Sequence, residues 1–342
     1  MPTAFVTHPD YLLHTLPGHP EHAGRLERIE QVLVEHEMDD HLLRPEPSAA
    51  SVETLELVHQ PGYVRVVREV CERGGGHLDP DTYTLPVSYE VARLSAGGAT
   101  LAVDTVLEGK ADNAFAALRP PGHHATPTRG MGFCLFNNIA IAARHAQDKH
   151  GLERVMIVDF DVHHGNGTQD VFYDDGSVLF ASSHLYPFYP GTGARGETGT
   201  GDGRGFTLNA PLPPGVGNEG FSALYERVLW PLARRFAPQL LLVSAGFDAH
   251  WSDPLALLQL DLAGYAHLAR ELKRMADELC AGRLVFVLEG GYQLEALSHG
   301  VLNVLHVLLG RDDVVDPLGP ASSREPSIDG LLKELLKLHG LE

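Results

Sequence analysis

An open, mostly parallel α/β sheet flanked by helices is the fold class this sequence predicts, on three observations. Runs such as VMIV, LLLV and LVFVL are apolar without alternation, as strands buried on both faces are. Stretches with helical spacing lie between them, giving repeated strand, loop and helix units. Each apolar run empties into polar residues and glycine, which places the chemistry at the carboxyl edge of the sheet, where open α/β folds hold ligands.

At 342 residues the chain is long enough for one large core. The expected division is a catalytic domain over residues 1–310, then a linker and an amphipathic helix over residues 311–342. Against 45 acidic residues there are 26 basic ones, a formal charge of −19 that opposes attraction to a phosphate backbone and makes nucleic acid a poor partner. A cationic or lysine-bearing substrate meets less long-range repulsion. Cys71, Cys134 and Cys280 have no paired spacing, so no disulfide framework is expected and a reducing compartment fits. MPTAFVTHPD has no basic segment leading into a long apolar one, and no membrane span is visible, so the expected location is cytoplasmic.

In chain order, TAFVTHP holds a first strand, and LLHTLPGHPEHAG leads to a helix over about residues 25–35. Residues 51–58 are ambiguous. PGYVRVVREVCERG has proline at a helix start and glycine at its end, with Tyr63, Val66, Val67 and Val70 spaced for one face. GGGHLDPDTYTLP is too broken for regular structure, and Asp79 and Asp81 in it either border an opening or sit in a solvated turn. A helix over residues 88–107 follows, then a strand over 114–118, a histidine-bearing loop, and a helix starting near Phe133. Residues 155–158 form the central strand. VLFASS is another strand, and after it Tyr186, Phe188 and Tyr189 either line a mouth or pack as core. GARGETGTGDGRG reads as a flexible loop and, with no lysine before serine or threonine and no GxGxxG opening a helix, is a poor phosphate loop. Helices over 219–236, 261–280 and 294–309 alternate with strands over 240–243 and in RLVFVL. The leucines at 331, 332, 335, 336 and 338 make one amphipathic face, expected to pack on the domain or at a subunit contact in a homo-oligomer.

The segment richest in chemistry is RVMIVDFDVHHGNG. In an extended chain Asp159, Asp161 and His163 share one side, offering carboxylate and imidazole to one cation but too few ligands. Asp248, after another strand, completes a mononuclear set with Asp161 and His163. Two carboxylates offset the charge of the ion, the imidazole suits a borderline metal, and a position remains for water or a carbonyl. Zinc is the preferred ion, with Fe(II) and Co(II) as substitutes. Asp159 can accept a hydrogen bond from His123, and Asn166 can orient His124.

HPEHAGRLERI, RPPGHHA, GFCLFNN, DFDVHHGNG, YPFYPGTG, SAGFDAH and EGGY follow one another over about residues 15–309. Together they resemble the zinc-dependent histone deacetylase family of the arginase-deacetylase superfamily, and most closely its bacterial class II-like deacetylases and acetylpolyamine amidohydrolases. The resemblance implies that fold and a zinc-dependent deacetylase. It implies metal ligation by Asp161, His163 and Asp248, and His124 as general base and then acid. His123 becomes an electrostatic helper or second proton-transfer group, and Tyr292 the hydroxyl donor to the scissile carbonyl. Asn166 stands where class I members carry a second aspartate, so His124 is less stabilised as imidazolium.

The same resemblance places Phe133 and Tyr189 along the substrate channel and gives Gly132 the role of admitting the substrate stem. Arg25 matches an arginine near an internal acetate cavity, the alternative being a helix-surface charge. Structural potassium is implied at Asp159, Asp161, His163 and Ser182, with Phe172 at an outer site. Leu255 stands where the vertebrate polyamine enzyme has a glutamate that reads a distant ammonium, which weakens a narrow polyamine assignment. The expected substrate is acetyl-lysine in a peptide or protein, with a small acetylated amine as the alternative. A catalytically silent acetyl-ligand binder is a third reading, opposed by the complete catalytic set. An arginase-like dinuclear hydrolase would need acidic ligands that this chain lacks. His164 carries no assigned role.

Overall fold

The computed structural model describes residues 2–342. Ten strands form: β1 Thr3–Val6, β2 Leu42–Leu43, β3 Gly76–Asp79, β4 Thr82–Thr84, β5 Asn113–Ala116, β6 Val155–Asp159, β7 Val178–Leu185, β8 Thr207–Leu212, β9 Leu240–Ala245 and β10 Leu284–Leu288. The helices are α1 Gly24–Glu35, α2 Val52–Glu56, α3 Pro61–Glu72, α4 Ser88–Leu107, α5 Asn138–His150, α6 Asn166–Phe172, α7 Asn218–Leu224, α8 Trp230–Phe236, α9 Leu262–Leu279, α10 Leu294–Leu308 and α11 Asp329–Leu338.

Eight strands make one sheet in the order β2-β1-β5-β10-β9-β6-β7-β8, and every pairing in it is parallel. This is the expected α/β architecture. The central strands are buried along their whole length, which is why their sequences do not alternate. Parallel strands require crossover helices, and these cover both faces of the sheet. The strands β5, β10, β9 and β6 are consecutive in the sheet, so the loops at their carboxyl ends meet although they are far apart in sequence.

Several local expectations are corrected. The segment read as irregular contains the antiparallel ribbon β3-β4, bulged between His77 and Asp79. Strand β8 completes the sheet edge beyond β7 and was not anticipated. On α3 the inward face is Tyr63, Val64, Val67 and Cys71, whereas Val66 is 50% exposed. The helix after the histidine loop begins at Asn138 rather than near Phe133, because Phe133 has φ +68° and Asn137 caps the helix by accepting from the Ala140 N–H at 3.0 Å. The helix expected over 219–236 is interrupted by a π turn, Tyr225–Leu229. Pro231 follows it, and a proline has no N–H for the regular ladder.

Helix α11 packs on the domain with Leu332 and Leu335 buried. The segment before it is tied down as well. The Glu325 carboxylate accepts from the backbone N–H groups of Gly217, Glu219 and Gly220 at 2.8–3.0 Å, while Asn303 and Val315 exchange two hydrogen bonds. Among the described residues no helix is long and apolar enough to cross a membrane.

Beneath the sheet edge lies a buried ionic cluster. Glu21, Arg25 and Arg119 have no exposed side-chain surface. Arg119 grips both oxygens of Glu21 and also donates to the carbonyls of Tyr11 and His14. Arg25 reaches Glu21 at 3.2 Å. Burial alone would raise the Glu21 carboxyl, but the two guanidinium groups overcome it and hold the pKa at about 2. Glu21→Gln should therefore cost about 3–5 kcal/mol in urea unfolding at neutral pH, since it leaves buried positive charge uncompensated. The folded pKa lies below the ordinary value of 4.5, so this contribution is full above pH 4.5 and fades as pH falls toward 2. The stability gap between wild type and variant should shrink across that window.

Candidate active site

The chain stops being extended at the end of β6. The Asp159 carboxylate accepts from the Asp161 N–H at 3.0 Å, and the Asp161 carboxylate accepts from the His163 N–H at 2.9 Å. These two Asx-type turns, rather than an extended period of two, aim the side chains. Asp159 turns toward His123, whereas Asp161 and His163 turn toward Asp248.

Asp161, His163 and Asp248 form the expected cluster, with one ligand atom from each within 4.8 Å of the others. Nδ1 of His163 lies 3.1 Å from Asp161 and 3.3 Å from Asp248. Backbone N–H groups of Gly290 and Val162 hold the carboxylates at 2.8 and 2.9 Å. A Cβ on Gly290 would lie 2.1 Å from Asp248 Oδ2, so only glycine lets that N–H approach. Burial, and then the neighbouring Asp161, push the Asp248 carboxyl up to about 7. Burial works against a charge on His163, but Asp161 and Asp248 prevail and raise it to about 10. Asp248 Oδ2 is buried, takes no backbone N–H among the described residues, and faces His163 Nδ1 at 3.3 Å. A buried carboxylate oxygen without a backbone donor, beside a second carboxylate and an imidazole, fits a borderline divalent cation such as zinc.

Two further histidines flank this cluster. His123 Nδ1 donates to Asp159 Oδ2 at 2.9 Å. Burial opposes its charge, but Asp159, Asp161 and Glu289 raise its pKa to about 10. His124 Nδ1 lies 2.8 Å from Asn166 Oδ1. Because Asn166 turns its NH2 toward the His124 carbonyl and Met131 sulfur, its oxygen faces the ring, Nδ1 carries the hydrogen, and Nε2 is left as a base. Burial first, and then His123 and His163, depress the His124 pKa well below the ordinary value. Burial and neighbouring charge thus push the two adjacent rings in opposite directions, His123 up and His124 down.

The remaining expected residues gather around these groups. Tyr292 has its ring 5.9 Å from Phe133, edge to face. Arg25 lies beneath it, with the guanidinium 5.2 Å from the ring centroid and hydrogen bonds to the carbonyls of Gly291 and Glu289 at 2.7 and 2.6 Å. Arg25 is therefore buried beside the pocket and is not a helix-surface charge. Tyr189 meets His124 edge to face at 5.2 Å. Gly132, at φ +56°, passes so close to His124 that a Cβ there would lie 2.3 Å from its ring. Leu255 is half-buried in the loop after Asp248. Asp79 pairs with Arg129 at 3.2 Å and accepts from the Asp81 N–H at 3.0 Å, so both belong to the β3-β4 turn. Ser182 is the register partner of Asp159 and bonds His184 Nδ1 at 2.9 Å, while Phe172 is buried at the end of α6.

Several supporting residues escaped the sequence reading. Glu289 accepts from the N–H groups of Gly122 and His123 at 2.8 and 3.1 Å. Asp253 accepts from the N–H groups of Tyr292 and Gln293 at 2.7 and 3.1 Å and from Leu255 at 2.9 Å. Thr82 accepts from the Phe133 N–H at 3.0 Å. His19 meets Phe133 edge to face at 4.6 Å, whereas Phe188, already read as mouth or core, stacks on His163 at 5.5 Å. The EGGY motif contains Glu289, but no local pattern says which backbone groups Glu289 and Asp253 hold. His164 now has a place. Its Nδ1 bonds the Thr192 hydroxyl at 2.8 Å and its Nε2 bonds Gln169 at 3.0 Å, fastening the aromatic loop to the ligand-bearing turn.

The sequence model described as the Histone deacetylase domain matches residues 19–308. The chain belongs to the histone deacetylase family. It is 44% identical over 317 residues to a probable deacetylase of Archaeoglobus fulgidus, covering 91% of this chain and 88% of that one. It is 42% identical over 309 residues to the human polyamine deacetylase HDAC10, covering 86% of this chain and 45% of the longer human protein. A crystal structure of the HDA15 HD domain superposes with a TM-score of 0.89 at 35% identity, covering 99% of this chain and 95% of that one. Family membership and the metal-ready triad agree on a deacetylase-type hydrolase.

Asp253→Ala should lower kcat by about tenfold to a hundredfold while leaving the catalytic zinc in place, because it frees the Tyr292 backbone without touching a ligand. Steady-state kinetics with metal quantification on the same preparation checks this. Loss of the zinc, or an unchanged kcat, would refute the positioning role.

Proposed function

We propose that this protein is a zinc-dependent amidohydrolase that removes acetyl groups from acetyl-lysine side chains of peptides or proteins. The carrying observation is the meeting of Asp161, His163 and Asp248 with two histidines, His123 bonded to Asp159 and His124 bonded to Asn166. Asp161, His163 and Asp248 would hold zinc, which would supply a Lewis acid for the attacking water and the scissile carbonyl. His124, neutral and with Nε2 as its basic atom, takes the proton of the attacking water. His123, whose charged form Asp159 favours, would place positive charge next to the developing negative charge. Tyr292 offers its hydroxyl to the oxyanion, and protonated His124 returns its proton to the departing amine. The products are acetate and a free amine.

Phe133, Tyr189 and Gly132 support a narrow, largely apolar approach to this centre, suited to the methylenes of a lysine side chain. Leu255 supports the same choice, since an apolar residue there offers nothing to a distant ammonium. Structural potassium near Asp159 and Ser182, and an acetate cavity beside Arg25, belong to the same reading.

With zinc-loaded enzyme, kcat/KM for acetyl-lysine peptides should exceed that for acetylputrescine and acetylspermidine by about tenfold or more. The reverse order would replace the substrate class, and no turnover of any of them would remove the catalytic reading. Tyr292→Phe should lower kcat by about a hundredfold to a thousandfold.

Asn166→Asp should set a carboxylate on His124 Nδ1 and raise the pKa of that ring. The base must be unprotonated to act, so the acidic limb of kcat/KM should move to higher pH by on the order of one unit. A pH profile with an unmoved limb would exclude His124 as the base.

A further inference from the structure

A second group of metal-ligating side chains lies away from the catalytic pocket. Asp104, on the last turn of α4, receives His145 and His150 of α5. Nε2 of His145 stands 2.8 Å, and Nε2 of His150 2.7 Å, from the same Asp104 oxygen. One ligand atom from each residue lies within 4.8 Å of the others. The side chains keep only 16–18% of their surface exposed, so they are partly withdrawn from water yet open to an ion. Helix α4 leads into β5 and α5 into β6. Both helix ends therefore sit at the amino ends of these strands, across the sheet from Asp161 and Asp248.

We propose that Asp104, His145 and His150 form a second divalent-metal site, separate from the catalytic centre, that takes Zn2+ or a neighbouring late first-row ion. The donor set inverts the catalytic one, with two imidazoles and one carboxylate, and this nitrogen-rich composition suits zinc, nickel or copper over magnesium or calcium. Neither imidazole has a hydrogen-bond partner at Nδ1 among the described residues. Each ring can thus carry its hydrogen there and present Nε2 as a lone pair, with no protein bond lost at Nδ1. Three protein ligands leave the fourth position to water. The ion would pin the end of α4 to the end of α5.

One group competes with the ion. The Lys149 ammonium lies 2.7 Å from the second Asp104 oxygen and 3.7 Å from Glu108. It is 46% exposed, and it can swing into solvent when a metal replaces it. Removing this ammonium should therefore strengthen binding, an outcome opposite in sign to loss of a ligand.

The test starts from enzyme already holding its catalytic zinc, dialysed against free Zn2+ up to about 100 µM with metal quantified per chain. Wild type should take up a second equivalent. Asp248→Ala, which damages only the catalytic set, should still bind one. The His145→Gln, His150→Gln double variant should lose the second equivalent and keep its deacetylase rate. Lys149→Gln should bind the second ion about threefold to tenfold more tightly. Cu2+ added to the zinc-loaded wild type should give an electron paramagnetic resonance spectrum with coupling to two imidazole nitrogens. Uptake of a single equivalent by wild type, or undiminished uptake by a folded double variant, would overturn the proposal. Should the double variant not fold, a copper spectrum without two-nitrogen coupling, or unchanged affinity in Lys149→Gln, would overturn it equally.

Discussion

The rest of the molecule depends on two carboxylates, Asp161 and Asp248, buried side by side without exposed surface. Neither can be hydrated, and each makes the charge of the other more costly. Every nearby feature answers that constraint. His163 stands between them, backbone N–H groups of Val162, His163 and Gly290 point at them, and Oδ2 of Asp248 is left without a backbone donor among the described residues. A divalent cation bound there would offset the remaining charge. The glycine at 290 and the abrupt end of β6 are geometric consequences of bringing backbone N–H groups that close.

A second layer of buried charge holds the first in place. Glu289 orders the start of the two-histidine loop through its backbone, and Arg25 grips the Glu289 and Gly291 carbonyls from below. Glu21 and Arg119 extend that support to the segment between β1 and α1. Tyr292 is thus held by Asp253 at its backbone and by Arg25 and Phe133 at its ring. The Tyr292 hydroxyl proposed to meet the substrate carbonyl is thus fixed from behind by Asp253 and Arg25, the kind of support that preorganised catalysis requires.

The legible parts of this chain were those with short-range signatures. Both-face burial makes strands such as β6, β9 and β10 uniformly apolar, and the proline and glycine boundaries of α3 are equally local. The ligand types and the two histidines were visible for the same reason. The β3-β4 ribbon was not, because its strands are only four and three residues long and are bulged between His77 and Asp79. The face of α3 was misjudged because Val66 and Val64 are equally apolar, and only the neighbouring α4 and β3 decide which one is covered.

The sequence by itself determined a parallel α/β sheet, a candidate set of metal-ligating and proton-transferring residues at strand ends, and membership in the histone deacetylase family. Tertiary structure alone decided that Arg25 is buried under Tyr292, that Asp253 and Glu289 hold backbone groups, and that His164 fastens the aromatic loop. It also brought Asp104 to His145 and His150 across two helices. The physical reason is common to all of these. Residue type and local period reveal what a side chain can do, whereas a buried polar group acquires its role from the partner that folding sets within about 3 Å of it.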